Sequence, residues 1–161
     1  MIYKHRSKVA HLPRWQSLAT HIVFVICATS GSWSLLAHEF QITPIAVENH
    51  SILMAHGVAA YFLALLFGAV IPTHIKAGWK SKRNRVSGGF MVIVMSLLLV
   101  SGLFLYYADE TRELALWTHW IIGGVLLVLF PFHFIAGRRA NYLALKRDKH
   151  QKSQPNLINL N

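Results

Sequence analysis

Four runs of mostly apolar residues, at about 16–38, 52–75, 88–108 and 114–136, constrain this chain more than any other feature. A helix that crosses the hydrocarbon of a bilayer needs roughly 20 such residues, and each run reaches that length. Together they occupy most of the 161 residues and leave no room for a second domain. A composition that is 54% hydrophobic and only 14% charged is too apolar for an ordinary soluble domain. Loops of roughly 5–15 residues make neighbouring spans antiparallel. The expected fold is therefore all-α, an integral membrane four-helix bundle running up-down-up-down, with lipid as its first partner.

The net charge of +10 raises the question of nucleic acid, and the positions of the charges answer it. Lys4, Arg6, Lys8 and Arg14 precede the first run; Lys76, Lys80, Lys82, Arg83 and Arg85 follow the second; Arg138, Arg139, Lys146, Arg147, Lys149 and Lys152 follow the fourth. Five of the six acids, Glu39, Glu48, Asp109, Glu110 and Glu113, fall in the other two loops. Basic clusters split among three juxtamembrane segments are a topology signal and not a nucleic-acid surface. By the positive-inside rule both termini and the middle loop are cytoplasmic, which makes the chain a multi-pass protein with N-in/C-in orientation. The chain then divides into a basic cytoplasmic N-terminal segment (1–15), a four-helix transmembrane domain (16–138) and a cytoplasmic C-terminal tail (139–161). The first run exceeds the 7–15 residues of a cleavable signal core, so it is read as a retained span. After about Tyr142 a short amphipathic extension and then a disordered tail are expected.

Local signals sharpen the span ends. Asn49 or Ser51 can cap the second helix, and Pro72 is expected to bend its last turn. Ser87-Gly88-Gly89 opens the third span and Tyr106-Tyr107 closes it, while Trp15, Trp33, Trp79, Trp117 and Trp120 fall near other span ends, as interfacial aromatics do. Ser30-Gly31 in the first span is weakly echoed by Ser101-Gly102 in the third. Cys27 is the single cysteine, so this chain alone builds neither a disulfide nor an iron-sulfur cluster. It has no C-x-x-C-H motif, and any haem would be held non-covalently.

The chemistry resides in the histidines, of which there are ten. His5, His11, His50 and His150 lie in tails or loops and are set aside. His21, His38, His56, His74, His119 and His133 lie in or at the edge of spans one, two and four. Ionisable residues at membrane depth are costly and mark function. His119 and His133 are 14 residues apart, roughly 21 Å along one helix and within some 40° of the same face. One helix thus offers an imidazole to each leaflet. Bis-imidazole iron needs a second imidazole at matching depth, and the expected pairs are His56 with His119 and His21 with His133. His74 is the alternative to His21, since it lies 18 residues and five whole turns beyond His56; its nearness to Lys76 and Pro72 counts against it. If it is no ligand, it would shape the inner haem edge, a quinone site or a proton path. Gly123 and Gly137, each four residues beyond a histidine of the fourth span, are expected to leave room for a flat porphyrin. His38 reads as an interfacial residue.

With histidines at these positions, the chain from Trp15 to Arg139 resembles the bacterial di-haem b-type cytochromes, namely the small cytochrome b561 proteins and the cytochrome b subunits of formate dehydrogenase and nickel-iron hydrogenase. The resemblance implies two haem b groups, with axial ligands carried over to His21, His56, His119 and His133. It also implies quinone or quinol as an exchangeable partner and the bacterial inner (cytoplasmic) membrane as the location. The first span departs from the family pattern: a His-Trp pair beside an arginine is here Thr20-His21-Ile22, several residues after Arg14-Trp15.

The leading functional expectation is transmembrane electron transfer with no bond-making residue supplied by the chain. No dinucleotide or flavin motif is present, which favours the membrane anchor subunit of an oxidoreductase over a stand-alone superoxide or quinone oxidoreductase. A histidine-lined metal or proton transporter is the alternative from another class. Such pathways usually recruit carboxylates, and no Asp or Glu falls within any span. A scaffold bundle with histidines bonded across helices is the remaining reading.

Overall fold

The computed structural model of the protein describes residues 12–39, 49–80 and 85–153, and all regular structure among them is helical. Apolar side chains cannot satisfy backbone polar groups in lipid, so each apolar run closes its hydrogen bonds within a helix. Helix α1 spans Arg14–Glu39, α2 Asn49–Val70, α3 Lys76–Lys80, α4 Arg85–Tyr107 and α5 Arg112–Ser153. A π-helical turn, Ile71–Ile75, joins α2 to α3. Four helical stretches are long and apolar enough to cross a membrane: Arg14–Ala37, His50–Lys80, Arg85–Tyr107 and Arg112–Arg147. The four-helix architecture expected from the apolar runs is the one found.

Two prolines act on the helices differently. Pro72 has no N–H to give the carbonyl four residues back, and its ring crowds that carbonyl. The chain accommodates it by widening one turn, so that the Lys76 amide bonds the Ile71 carbonyl. Helical backbone then continues to Lys80, which makes the second span longer than its apolar run. Pro131 lies inside α5, which stays helical through it. The extension expected after Tyr142 is a continuation of α5, a single helix of 42 residues. The tail from 154 onward, the loops at 40–48 and 81–84 and the segment 1–11 lie outside the described residues.

Helix α1 packs along α2, and α4 along α5. The two hairpins join mainly where α1 meets α5 and α3 meets α4, which leaves α2 and α5 facing each other across the bundle. Phe24 of α1 stacks on Phe130 of α5 at 4.0 Å between ring centroids. Around this stack Cys27, Ala59, Leu63, Val94, Met95 and Leu126 form the buried cluster. On α2 the cluster members lie between His56 and His74, and on α5 between His119 and His133. The bundle is thus plugged with apolar side chains midway along its length, and its histidines sit on either side of the plug. Outward positions such as Leu65, Ile93, Leu103, Ile121 and Val128 are exposed, as lipid-facing side chains are.

A candidate pair of histidine sites

Each site begins with a histidine anchored by the neighbouring helix of its own hairpin. At the end of the bundle near the acidic loops, His56 of α2 lies against α1. Its Nδ1 donates to the Cys27 carbonyl at 2.9 Å and lies 3.3 Å from Ser30 Oγ. On the other hairpin His119 of α5 lies against α4. Its Nδ1 is 3.0 Å from Ser101 Oγ, whose hydroxyl donates to the Leu98 carbonyl at 3.0 Å. The two rings meet across the bundle with centroids 6.2 Å apart and planes at 87°.

The second pair lies toward the basic end. His74, in the π-turn, and His133, on α5, have centroids 6.3 Å apart and planes at 89°. Ser87 of α4 places its hydroxyl 3.3 Å from His133 Nδ1. The two pairs thus share one geometry although they are built from different turns of the helices.

Both spacings match imidazoles on opposite sides of one metal ion. A metal–imidazole bond is about 2.0–2.1 Å and the ring centre lies roughly 1.1 Å behind its nitrogen, so collinear ligands have centroids roughly 6.3 Å apart. For His56, His119 and His133, engaging Nδ1 with a neighbouring oxygen leaves Nε2 for a metal, the usual division of labour in a ligating histidine.

A glycine makes the close approach of His56 to α1 possible, and glycines also lie beside His119 and His133. A Cβ on Gly31 would stand 2.8 Å from His56 Cε1, so any other residue there would displace the ring. Gly102 lies under His119 and Gly88 under His133, where a Cβ would stand 3.5 and 3.8 Å from the respective Cε1 atoms. These are not the glycines expected from the sequence. Gly123 faces Leu98 Cδ1, and a Cβ on Gly137 would meet nothing within 4 Å. The clearance at His56 comes from the adjacent helix, not from one turn along the histidine's own helix. Its signal in the sequence is plain in retrospect: Ser-Gly occurs three times, at 30–31, 87–88 and 101–102, and each occurrence underlies a histidine.

The expected pairing of His56 with His119 is the observed one. The expected pairing of His21 with His133 is not, because the ring that faces His133 is that of His74. His21 is turned into apolar surroundings, edge-on to Phe130 at 5.3 Å and to Phe134 at 4.6 Å. Its Nδ1 donates to the Ser17 carbonyl at 2.6 Å, and its Nε2 is buried without a hydrogen-bond partner. Proximity to Lys76 and Pro72 counted against His74, yet its ring is the one that meets His133. Helical backbone carries on past the lysine, whose long side chain can reach the interface from a buried backbone. His50 is exposed in the first turn of α2, and His38 falls in the last turn of α1. Among the described residues no group of three or more His, Cys, Asp or Glu side chains comes together.

Comparison of the chain with protein-family models, curated proteins and solved structures returns no match.

Proposed function

We propose that this chain is a di-haem b-type cytochrome that carries electrons across or within a membrane. In this reading it exchanges electrons with quinone or quinol and with a partner redox protein, as the membrane subunit of an oxidoreductase complex. The observation that carries the reading is the recurrence of one ring geometry, at 6.2 and 6.3 Å, on two levels of a membrane-spanning bundle. His56 and His119 would hold one haem, and His74 and His133 the other. Two imidazoles satisfy only two positions of a six-coordinate ion. Among the described residues no set of three or more His, Cys, Asp or Glu side chains comes together, and a two-imidazole donor set suits a planar four-nitrogen macrocycle better than a bare cation.

Bound haem supplies reversible one-electron chemistry at iron. The chain orients its imidazoles through Cys27, Leu98, Ser30, Ser101 and Ser87, and keeps water from the middle of the bundle through the Phe24–Phe130 plug. The charge pattern puts the His74–His133 pair on the cytoplasmic side, and the family resemblance argues for the inner membrane of a bacterium. Quinone exchange and the redox partner rest on that resemblance too.

The test is the reduced-minus-oxidised spectrum of the protein purified after expression with ample haem. Two low-spin b haems per chain are expected. Purification of a folded protein without haem would overturn the reading.

A further inference from the structure

The two hairpins carry the same small device around the His56–His119 pair. On α1 a carbonyl at Cys27 is followed three residues later by Ser30 and four later by Gly31; on α4 a carbonyl at Leu98 is followed at the same intervals by Ser101 and Gly102. On α1 the Cys27 carbonyl and the Ser30 hydroxyl both meet His56 Nδ1, and a Cβ on Gly31 would stand 2.8 Å from the ring; on α4 the Ser101 hydroxyl, bonded to the Leu98 carbonyl, meets His119 Nδ1 beside Gly102.

The hydrogens decide what this device does. A serine hydroxyl has one hydrogen to donate. Ser30 Oγ gives it to its own helix, lying 2.6 Å from the Ile26 carbonyl and 3.2 Å from that of Cys27, and Ser101 Oγ lies 3.0 Å from the Leu98 carbonyl. Each hydroxyl therefore turns a lone pair toward the imidazole. The Cys27 carbonyl can only accept, so His56 Nδ1 carries the proton, and the Ser101 hydroxyl, whose hydrogen goes to the Leu98 carbonyl, asks the same of His119; Nε2 is then the bare nitrogen of each ring.

We propose that Cys27 O with Ser30, and Leu98 O with Ser101, are paired tautomer clamps that hold His56 and His119 as Nδ1–H imidazoles and keep both Nε2 lone pairs turned toward the space between the rings. This goes beyond assigning ligands, and its link to haem rests on the function proposed above. Ser30 and Ser101 are positioning residues that act through the imidazoles. Hydrogen bonds accepted from Nδ1–H make an imidazole more basic, so a ferric ion held by both rings is stabilised and its reduction potential lowered. Losing one such partner typically weakens metal binding by about 10–100-fold.

The clamp is tested first without haem. In the full-length protein labelled with 15N-histidine and prepared haem-free, the His56 and His119 resonances, assigned by loss in His56→Gln and His119→Gln, should report Nδ1–H with unprotonated Nε2. An Nε2–H tautomer at either ring would overturn the proposal. In the haem-loaded protein, Ser30→Ala and Ser101→Ala should each shift one of two redox titration steps to more positive potential and weaken haem retention at that site roughly ten-fold. Ser30→Thr, which keeps the hydroxyl, should restore both. Unchanged potential and retention in both alanine variants would also overturn it. The arms separate the two claims: Nδ1–H tautomers in a protein that never takes haem uphold the clamp and sink the cytochrome reading, and the reverse result does the opposite.

Discussion

His74 and His133 face each other with ring centroids 6.3 Å apart and planes at 89°, reproducing within 0.1 Å the spacing of His56 and His119 at the other end of the bundle. The recurrence is informative because the supports differ. His56 stands in regular α-helix, and His74 stands in the π-turn created by Pro72.

This relationship separates the roles of the first-span and second-span histidines. His74→Ala should remove one of two haems, and His119→Ala the other, each halving the haem-to-protein ratio measured from the pyridine haemochrome. His21→Ala should leave the ratio at two, since His21 packs on Phe130 and Phe134. Loss of a haem in His21→Ala with retention in His74→Ala would reverse the assignment.

Gly31→Ala tests the clearance under His56. The new Cβ would need the space now 2.8 Å from His56 Cε1, and the ring cannot move away without stretching its bond to the Cys27 carbonyl. Haem affinity at that site should fall by about 10–100-fold, the range for disturbing a ligand's support. Gly137→Ala, where a Cβ meets nothing within 4 Å, should titrate with haem as the parent does.

Pro72→Ala tests the widened turn. With an N–H restored at 72, ordinary α-helical bonding becomes available, and every residue beyond it rotates and shifts relative to α2. His74 should leave its partner, so the variant should keep the His56–His119 haem and lose the other. Two haems with unchanged spectra would show that the π-turn does not set the ring position.

The apolar plug between the pairs can be measured as stability. Leu126 is 3% exposed, and its truncation to Ala opens a cavity among Phe24, Ala59, Leu63, Val94 and Met95. In lipid the transfer contribution largely vanishes and the lost packing remains, so a cost of about 1–2 kcal/mol is expected. Equilibrium unfolding in mixed micelles reads it, and Val128→Ala on the exposed face of α5 serves as the near-neutral comparison.

Topology is tested by labelling. In a Cys27→Ser background, a cysteine at Asp109 should react with a membrane-impermeant thiol reagent on intact cells, and one at Lys80 only after lysis. The opposite pattern would invert the orientation drawn from the basic clusters.

Much of this protein is visible in its residue order because membrane insertion is a nearly local problem. A run of about 20 apolar residues has to become a helix wherever it sits. The four spans were therefore legible, and so was the His56–His119 pair, whose members lie on regular helix where depth can be counted at a fixed rise. The partner of His133 was not. Choosing between His21 and His74 depended on whether helix continues beyond Pro72 and Lys76, and on which ring the packing of α1 against α5 turns toward phenyl groups. Likewise, the glycines beside the paired histidines could be seen as Ser-Gly repeats, but only the approach of α1 to α2 and of α4 to α5 decides that they lie against a histidine on the next helix. Rise per residue is a property of the chain; the rotation of one helix face against another is set by packing among all of them.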